Sequence, residues 1–378
     1  MTPSTYRALV LTDPAKPLSL EDLPVPKQTA GMALLRVLAA PVLSYASEVF
    51  QKGNAREYPY PLPMVPGPSS CVARVAAVGL DAVKLKPGTL VWVDATVTAR
   101  DDPEAIVLQG LFEGLSDASR AFMKDSARDG NMAEYVTAPL ENIHVLDEEA
   151  LLGQPNGADS KLRFGYTASD LAFLFWLLVP YGGLRDVALR PGETVIVAPA
   201  TGPFGGAAVL VALAMGAGRV IAMGRNTEAL RRLRSGREDK VESVQITGDV
   251  DHDAAELCKL GPIDVYFDIS PPQAAGSTHM ASAFRSLKRR ARVSLMGGLN
   301  TNVALPHVVI MQKDITIKGK WMYPMEAVPE LVRMIERGML RFGSFSGIEV
   351  IKHGLDDWEK AFKDAESSTF GKFVVFEP

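Results

Sequence analysis

The second half of the sequence alternates strand-like and helix-like segments, and this alternation restricts the folds that the chain can adopt. The strand-like segments are TVIVAPA, RVIAMG, VESVQIT, IDVYFDI and ARVSLMGG, and DITIKGKWMY adds one more. The helix-like segments between them run from GGAAVLVALAMGA to AAGSTHMASAFRSLKRR. Apolar strands joined by helical crossovers are typical of a parallel sheet covered on both faces. We therefore predict an α/β fold with a doubly wound parallel sheet of the Rossmann type.

A glycine-rich turn stands between the first strand and the first helix of this series. In VIVAPATGPFGG, Ala200, Gly202 and Gly205 have the spacing A-x-G-x-x-G. This spacing gives a tight turn, lets the backbone approach a pyrophosphate at Gly202, and lets helix and strand pack closely at Gly205. The anion then lies at the helix N-terminus. We predict a dinucleotide site here, with Thr201 and Phe204 as further contacts; the alternative is a turn that binds nothing.

The end of the second strand of the series indicates which dinucleotide binds. NAD sites of this kind carry an acidic residue about 20 residues after the glycines, but this chain has Gly224, Arg225 and Asn226 there. Arg225 could make forked, charge-assisted hydrogen bonds to a 2′-phosphate or stack on adenine. We predict NADPH as the cofactor. The alternative is that Arg225 is a solvated loop residue of an NAD-dependent protein.

The first part of the chain has a different sequence pattern. Short β-like runs separated by Pro and Gly continue to about residue 150, which predicts a β-rich domain. From about Glu326 the pattern is mixed again, and the chain ends on the strand-like GKFVVFEP. We predict a β-rich domain over residues 1–160, a nucleotide-binding domain over 161–325, and a return to the first domain over 326–378. The segment GLFEGLSDASRAFMKDSARDG is interpreted as a long loop.

Composition and charge exclude several classes of function. The net charge is −4, and the densest basic cluster, RRLRSGR at residues 231–237, is interpreted as a solvated helix face, so we expect no nucleic-acid partner. The N-terminus lacks the pattern of a secretory signal, and we expect a cytoplasmic protein. The most apolar run, residues 171–181, is too short to cross a membrane and predicts a buried helix.

Cysteine and histidine are too sparse for a metal site. The chain has two cysteines, Cys71 and Cys258, and five scattered histidines, with no C-x-x-C motif. Zinc sites need three or four nitrogen, sulfur or carboxylate ligands. We predict no metal and no disulfide framework, which fits a reducing compartment.

Several segments together resemble the medium-chain dehydrogenase/reductase superfamily along essentially the whole chain. They are AAPVLSYASEVF, VPGPSSCVARVAAVG, AEYVTAPLENIHVLDEEA, RPGETVIVAPATGPFGGAAVLVALAMGA, FDISPP and RVSLMGG. The resemblance implies a GroES-like catalytic domain, built from the N-terminal part and the tail, with the nucleotide domain inserted between them. Zinc-dependent relatives carry a cysteine near Ser44 and a histidine where Pro68 stands. The chain therefore resembles the zinc-independent branch, which includes quinone and enoyl reductases.

The resemblance also implies site residues. Further cofactor contacts are expected at or after the ends of later strands and in the helix before the first: Asp268, Ser270, Gly297, Gly298, Trp321, Tyr323 and Tyr181. Ser44, Tyr45 and Tyr58 are the candidate catalytic residues, with the tyrosines as proton donors. Each tyrosine could instead be a packed aromatic residue whose hydroxyl is satisfied. A homodimer through an exposed edge of the nucleotide-domain sheet is a further expectation.

The absence of a zinc ligand set favours a substrate that supplies its own activation. Zinc contributes several kcal/mol as a Lewis acid, whereas a conjugated carbonyl can accept hydride at its β-carbon. We therefore predict an NADPH-dependent, zinc-independent enzyme that reduces an enone, an enoyl thioester or a quinone in a biosynthetic pathway. One alternative is an NADPH-dependent carbonyl or alcohol oxidoreductase with a Tyr or Ser proton relay. Another is a cofactor-binding protein without turnover.

Overall fold

The chain divides into two compact units. The structure is a computed structural model and describes residues 3–154 and 163–378. The first unit comprises residues 1–175, 349–368 and 372–378, and the second comprises 176–348 and 369–371.

The elements are numbered here in chain order. The strands are β1 (Thr5–Val10), β2 (Ser19–Pro24), β3 (Met32–Val42), β4 (Cys71–Val78), β5 (Leu90–Val93), β6 (Thr96–Thr98), β7 (Ile106–Leu108), β8 (Tyr135–Pro139), β9 (Ile143–Val145), β10 (Thr194–Ala198), β11 (Arg219–Gly224), β12 (Val241–Gln245), β13 (Ile263–Asp268), β14 (Leu287–Leu295), β15 (Thr316–Gly319), β16 (Glu349–His353) and β17 (Lys372–Phe376). The α-helices are α1 (Ala46–Phe50), α2 (Asp117–Ser126), α3 (Glu148–Leu152), α4 (Ala168–Leu171), α5 (Leu174–Asp186), α6 (Pro203–Ala214), α7 (Thr227–Arg234), α8 (Val250–Lys259), α9 (His279–Ser286), α10 (His307–Gln312), α11 (Ala327–Glu336) and α12 (Trp358–Glu366).

The second unit is built on a six-stranded parallel sheet. Its strand order is β12-β11-β10-β13-β14-β15, and every neighbouring pair is parallel. Ile196, Ile221, Tyr266, Phe284 and Val293 belong to one buried cluster beneath it. The predicted Rossmann-type sheet is confirmed. Because all six strands run the same way, their carboxyl ends lie at one edge, where this fold binds ligands.

The helix after the first strand of this sheet is apolar all round. Residues 205–212 of α6 are buried without exception, as expected for a helix inside a core rather than on a surface. Pro203 stands at its first position, where a missing N–H costs nothing. The sequence therefore fixes both the burial and the starting point of this helix.

The first unit is built on a mainly antiparallel sheet. The strand order is β16-β17-β3-β4-β5-β9, and β8 also pairs with β3. Only β16 and β17 are parallel among these pairs in the described residues. The pairs β1–β2 and β6–β7 form two small sheets. The predicted β-rich class of this part is confirmed.

The division into units differs from the predicted domains. The first boundary lies after residue 175 rather than after residue 160, a position that itself falls outside the described residues. The boundary expected after residue 325 lies instead after residue 348, so α11 belongs to the second unit. The reason is tertiary: Glu330 of α11 accepts hydrogen bonds from Tyr181 and Arg185 of α5, and the apolar face of α11 is buried.

Two local predictions are also corrected. The helix expected to continue to Arg290 ends at Ser286, because the chain then joins β14 and pairs with β13. The segment interpreted as a long loop contains α2, whose N-terminus is closed by a reciprocal capping box between Ser116 and Ser119. Residues 171–181 are buried and mostly helical, as predicted. Within the described ranges, no helix is both long and apolar enough to cross a membrane.

Candidate active site

The turn between β10 and α6 has the geometry that an anion site requires. A Cβ at Gly205 would lie 2.1 Å from the carbonyl oxygen of Pro199, so only glycine allows this packing of helix against strand. A Cβ at Gly202 would meet nothing within 4 Å. Gly202 is the N-cap of α6 and supplies no side-chain cap to the N–H groups of the first turn. The residues present fit a pyrophosphate at this turn.

Strand β11 packs closely against the same turn. The N–H of Ala200 donates to the carbonyl of Met223, 2.7 Å away. A Cβ at Gly224 would lie 2.4 Å from Cγ2 of Thr201. Close packing against Thr201 therefore requires glycine at position 224. The sequence alone had indicated only that Gly224 carries no charge. Thr201 and Phe204 are half-buried.

Arg225 and Asn226 follow β11 and have different roles. The Oδ1 of Asn226 accepts a hydrogen bond from the N–H of Ala229 at 3.0 Å and caps α7. Arg225 is exposed, and no hydrogen bond or ion pair of its guanidinium occurs among residues 3–154 and 163–378. Its charge is therefore available to a ligand at this edge, whereas the side-chain oxygen of Asn226 is already used.

The side chains of Asp268 and Ser270 are engaged in a buried polar network. The Oγ of Ser270 donates to Oδ1 of Asp268 at 2.6 Å, and the Tyr266 hydroxyl donates to the same oxygen at 3.0 Å. Nε2 of His279 lies 2.9 Å from the Ser270 Oγ, and its Nδ1 lies 2.7 Å from Oγ of Ser277. Buried carboxylates need such partners.

This network changes the interpretation of Asp268 and Ser270. Both residues are at most 2% exposed. Their side chains are therefore not available to a cofactor, and the predicted contact is now expected from their backbone groups alone. Sequence reasoning missed His279 and Tyr266. Their histidine and tyrosine types carry no spacing signal that would have identified them.

The loop after β14 covers the same network. A Cβ at Gly297 would lie 2.6 Å from Oδ2 of Asp268, and the N–H of Gly298 donates to the carbonyl of Ser270 at 2.8 Å. A Cβ at Gly298 would meet nothing within 4 Å. Gly297 thus packs closely against Asp268, whereas the backbone at Gly298 is open. Both glycines follow the carboxyl end of β14, at the end of the sheet where this fold binds ligands.

The remaining predicted contacts are divided between surface and interior. Trp321 is 48% exposed, whereas Tyr323 is 5% exposed. Tyr181 donates its hydroxyl proton to Oε2 of Glu330 at 3.0 Å. Burial, together with Glu330, raises the pKa of Tyr181 to about 12. Its hydroxyl is therefore committed to a structural hydrogen bond.

In the first unit, the structure brings two candidate catalytic tyrosines together. The ring centres of Tyr45 and Tyr58 are 6.1 Å apart at an interplanar angle of 61°. The guanidinium carbon of Arg56 lies 4.2 Å from the centre of the Tyr45 ring, and its Nε lies 2.5 Å from Oε2 of Glu48. Ser44, next to Tyr45 in the chain, is half-buried. Sequence reasoning treated the tyrosines as alternatives and missed Arg56.

The protonation of Tyr45 follows from these neighbours. Burial raises the pKa of the Tyr45 phenol well above its ordinary value, and Tyr58 adds to the rise. Arg56 acts in the opposite direction on the same pKa. The phenol therefore keeps its proton at neutral pH and can donate a hydrogen bond.

The positions expected for zinc ligands do not fit a metal. Pro68 is buried and has no donor, and the Oγ of Ser69 is buried without a hydrogen-bond partner in the described part of the chain. Burial raises the pKa of the Cys71 thiol well above its ordinary value, which disfavours the thiolate that binds metal. Among residues 3–154 and 163–378, no three His, Cys, Asp or Glu side chains are placed to hold a metal ion.

Comparison with known proteins supplies a wider context. Residues 203–337 match the family described as zinc-binding dehydrogenase. The chain is 22% identical over 366 residues to the L-threonine 3-dehydrogenase of Anaeromyxobacter dehalogenans, covering 94% of this chain and 93% of the relative. It is 26% identical over 330 residues to an alcohol dehydrogenase of Rhizobium meliloti, covering 83% and 84%.

A solved structure has the same fold along the whole chain. The alcohol dehydrogenase rspB from E. coli CFT073, determined in complex with NADH, superposes with a TM-score of 0.77 at 17% identity and covers 100% of both chains. Because the sequence identity is so low, the superposition shows a common fold and nothing further. The β-rich unit and the Rossmann-type unit of this chain thus have the fold of that solved structure.

Proposed function

We propose that the chain is a member of the medium-chain dehydrogenase/reductase superfamily, which its sequence resembles, and a nicotinamide-dependent oxidoreductase that interconverts an alcohol and a carbonyl compound. The names of its relatives, threonine and alcohol dehydrogenases, support this reaction more than the reduction of an enone or quinone expected from the sequence. The observation that carries the proposal is the pair of Tyr45 and Tyr58 with Arg56 over the Tyr45 ring.

The cofactor of this reaction is NADPH, bound at the turn between β10 and α6. When bound, it supplies or accepts the hydride. The open backbone at Gly202 supports binding of the pyrophosphate. The exposed Arg225 at the end of β11, with no acidic residue at Gly224, supports binding of the 2′-phosphate.

Tyr45 takes the part that a metal ion would otherwise take. Its neutral phenol donates a hydrogen bond to the substrate oxygen and transfers the proton as negative charge develops there. The phenolate that remains is stabilised by the guanidinium of Arg56, 4.2 Å from the ring centre. In the oxidative direction the phenolate form of Tyr45, beside the guanidinium of Arg56, accepts the proton of the alcohol. Ser44 supplies a second donor from the neighbouring position.

A second candidate is the reduction of an activated double bond. The specific observation in its favour is the lack of metal-binding side chains at the positions of the zinc ligands, where Ser44, a hydrogen-bond donor, and Pro68, which has none, stand. Hydrogen-bond donors alone stabilise a delocalised oxyanion more readily than a localised alkoxide, because less charge has to be neutralised at one atom.

A substrate panel distinguishes the two candidates. Oxidation of NADPH is followed with saturated ketones and aldehydes, enones and quinones, and reduction of NADP⁺ with secondary alcohols. We expect turnover with saturated carbonyl compounds and with alcohols. Turnover with enones or quinones alone would favour the second candidate. No turnover with any class, despite NADPH binding, would indicate a cofactor-binding protein.

A further inference from the structure

The second unit contains a cavity that the proposed reaction does not use. It has a volume of about 550 Å³, within the range of small-molecule sites. Its walls come from the C-terminal half of α6, the end of α7, and residues 339–341, 345–347 and 370–371. The lining includes three arginines and three large apolar side chains: Arg232, Arg237, Arg341, Met339, Phe345 and Phe370.

The cavity is positively charged. Three arginines line it and no lining residue is acidic, although one of them, Arg232, also pairs with Glu228 outside the lining at 3.2 Å. Arg237 is half-buried and donates to the carbonyl oxygens of Leu233, Ser235 and Ser346 at 3.2–3.5 Å. It makes no ion pair in the described ranges of the chain. Burial lowers the pKa of this guanidinium, and the neighbouring Glu238 opposes the shift without cancelling it.

This charge was not expected from the sequence. The cluster RRLRSGR was interpreted as a solvated helix face, and Arg231 does pair with Glu228 on the surface. Arg232 also pairs with Glu228, at 3.2 Å, but it lines the cavity as well, together with Arg237 of the same cluster. The third arginine, Arg341, comes from a distant part of the chain, so no local pattern could show the cluster.

The same cavity has an apolar wall. Leu210 and Leu213 of α6 form one side, and Met339 and Phe345 lie on another with 61% and 50% of their surfaces exposed. Exposed apolar side chains beside guanidinium groups suit a ligand with both chemistries. Guanidinium groups bind carboxylates and phosphates in a bidentate manner.

We propose that this cavity binds a small organic anion, a carboxylate or a phosphate ester with an apolar chain, and that its occupancy alters the affinity of the dinucleotide turn. The cavity is separate from that turn. The first α6 residue that lines it, Leu210, lies about 12 Å along the helix from Gly202.

Phe370 connects the cavity to the turn. It lines the cavity, and its N–H donates to the carbonyl oxygen of Thr201 at 3.1 Å. Its ring also fills the space beside Gly206, where a Cβ would lie 1.9 Å from a ring carbon. A ligand that displaces Phe370 therefore acts on the backbone of the turn. This coupling rests on the proposed function, whereas binding in the cavity does not.

Binding is tested by calorimetric titration of the full chain without dinucleotide. The probes are hexyl phosphate and hexanoate, with hexanol and inorganic phosphate as controls for the apolar chain and the anion alone. We expect at least one amphiphilic anion to bind about tenfold or more tightly than both controls. Tighter binding of hexyl phosphate would identify the ligand as a phosphate ester, and tighter binding of hexanoate would identify it as a carboxylate. Binding of hexanol with equal affinity would overturn the proposal.

Variants locate the site. Arg237→Gln removes a charged donor and is expected to weaken the bound probe by about 10- to 150-fold. Met339→Glu places a carboxylate in the wall and is expected to do the same through repulsion, in case Arg237→Gln fails to fold. Arg289→Gln is the matched control, because Arg289 is exposed and pairs with Asp314. Unchanged affinity in a folded Arg237→Gln or Met339→Glu protein would overturn the site.

The coupling is tested by NADPH affinity with and without the bound probe. We expect a change of at least about threefold, reciprocal in the two ligands, that disappears in Arg237→Gln. An effect that persists in Arg237→Gln would be direct competition at the turn and would overturn the coupling, as would no effect. If NADPH does not bind at all, the proposed function fails, while the titration without dinucleotide still decides the cavity.

Discussion

The guanidinium carbon of Arg56 lies 4.2 Å from the centre of the Tyr45 ring. The cation faces the aromatic ring, and its field lowers the cost of a phenolate, while burial raises it. The two effects oppose each other at one hydroxyl group. The phenol therefore holds its proton at neutral pH but has a counter-ion for the moment when the proton leaves.

Tyr45→Phe should lower kcat without changing NADPH affinity. Loss of a general acid typically costs about 10²- to 10⁴-fold in rate, and we expect at least about tenfold because water can substitute. Tyr58→Phe should have a smaller effect in the same direction. Kinetics and calorimetry provide the two measurements. Tyr135→Phe, a half-buried tyrosine on β8, is the control, and wild-type turnover in Tyr45→Phe would assign the proton to solvent.

Arg225→Ala should weaken NADPH and leave NADH almost unchanged. A hydrogen bond to a charged group contributes about 1.5–3 kcal/mol, which corresponds to roughly 10- to 150-fold in affinity. Calorimetric titration with both dinucleotides measures the difference. Equal losses for the two would show that Arg225 does not contact the 2′-phosphate.

Alanine substitutions at Gly205 and Gly202 should have different effects, the first on the free energy of unfolding and the second on NADPH affinity. Gly205→Ala places a Cβ 2.1 Å from the Pro199 carbonyl, and overpacking of this kind costs about 1–3 kcal/mol of unfolding free energy. Gly202→Ala meets no atom within 4 Å, so the fold should keep its stability while NADPH binding weakens. Urea unfolding and calorimetry measure the two properties. A stable Gly205→Ala protein would contradict the close packing.

Purified protein should contain much less than one zinc ion per chain, because the residues at the expected ligand positions include Ser44 and Pro68. Treatment with a chelator should leave activity unchanged. Elemental analysis measures the metal content. Stoichiometric zinc whose removal abolishes turnover would contradict the role proposed for Tyr45.

Stability should fall between pH 7 and pH 5 because of His144. Burial lowers the pKa of His144 to about 4 from an ordinary 6.5, so the unfolded chain takes up a proton that the folded chain refuses. The stabilisation is present above pH 6.5 and is lost as the pH falls towards 4. For this half-buried side chain we expect a loss of roughly 1–2 kcal/mol between pH 7 and pH 5.

Urea unfolding at the two pH values measures this loss. His144→Leu should remove this component of the pH dependence. His307→Gln, which changes an exposed histidine, should retain it. An identical pH dependence in wild-type protein and His144→Leu would assign the loss to other groups.

Features carried by short sequence patterns were predictable, and those assembled from distant segments were not. The A-x-G-x-x-G turn, its strand and its helix depend on local sterics, so the turn at Gly202 and the close packing of helix against strand at Gly205 were predicted correctly. The network of Asp268 and His279 depends on burial after folding. Likewise, α11 was assigned to the wrong part of the chain because its partner, α5, lies about 150 residues earlier.

The cluster of Tyr45, Tyr58 and Arg56 shows the same limit. Tyr45 was identified by its position beside an absent zinc ligand and Tyr58 by a Tyr-Pro pair that resembles enoyl reductases, but the contact between their rings could not be predicted. Arg56 was missed because a lone arginine before a Tyr-Pro pair has no distinctive spacing. The chemistry of this site arises from three side chains whose arrangement only the folded chain specifies.

The hydrogen bond from Phe370 to Thr201 has a consequence for synthesis on the ribosome. Strands β10 to β15 are made before residue 320, yet the dinucleotide turn is not complete until a residue made about 170 positions after Thr201 reaches it. Domains generally fold as units while the chain grows, but here the growing Rossmann-type unit lacks one hydrogen bond and one aromatic ring. A nascent chain that stops short of residue 370 therefore has its parallel sheet without its finished ligand-binding turn.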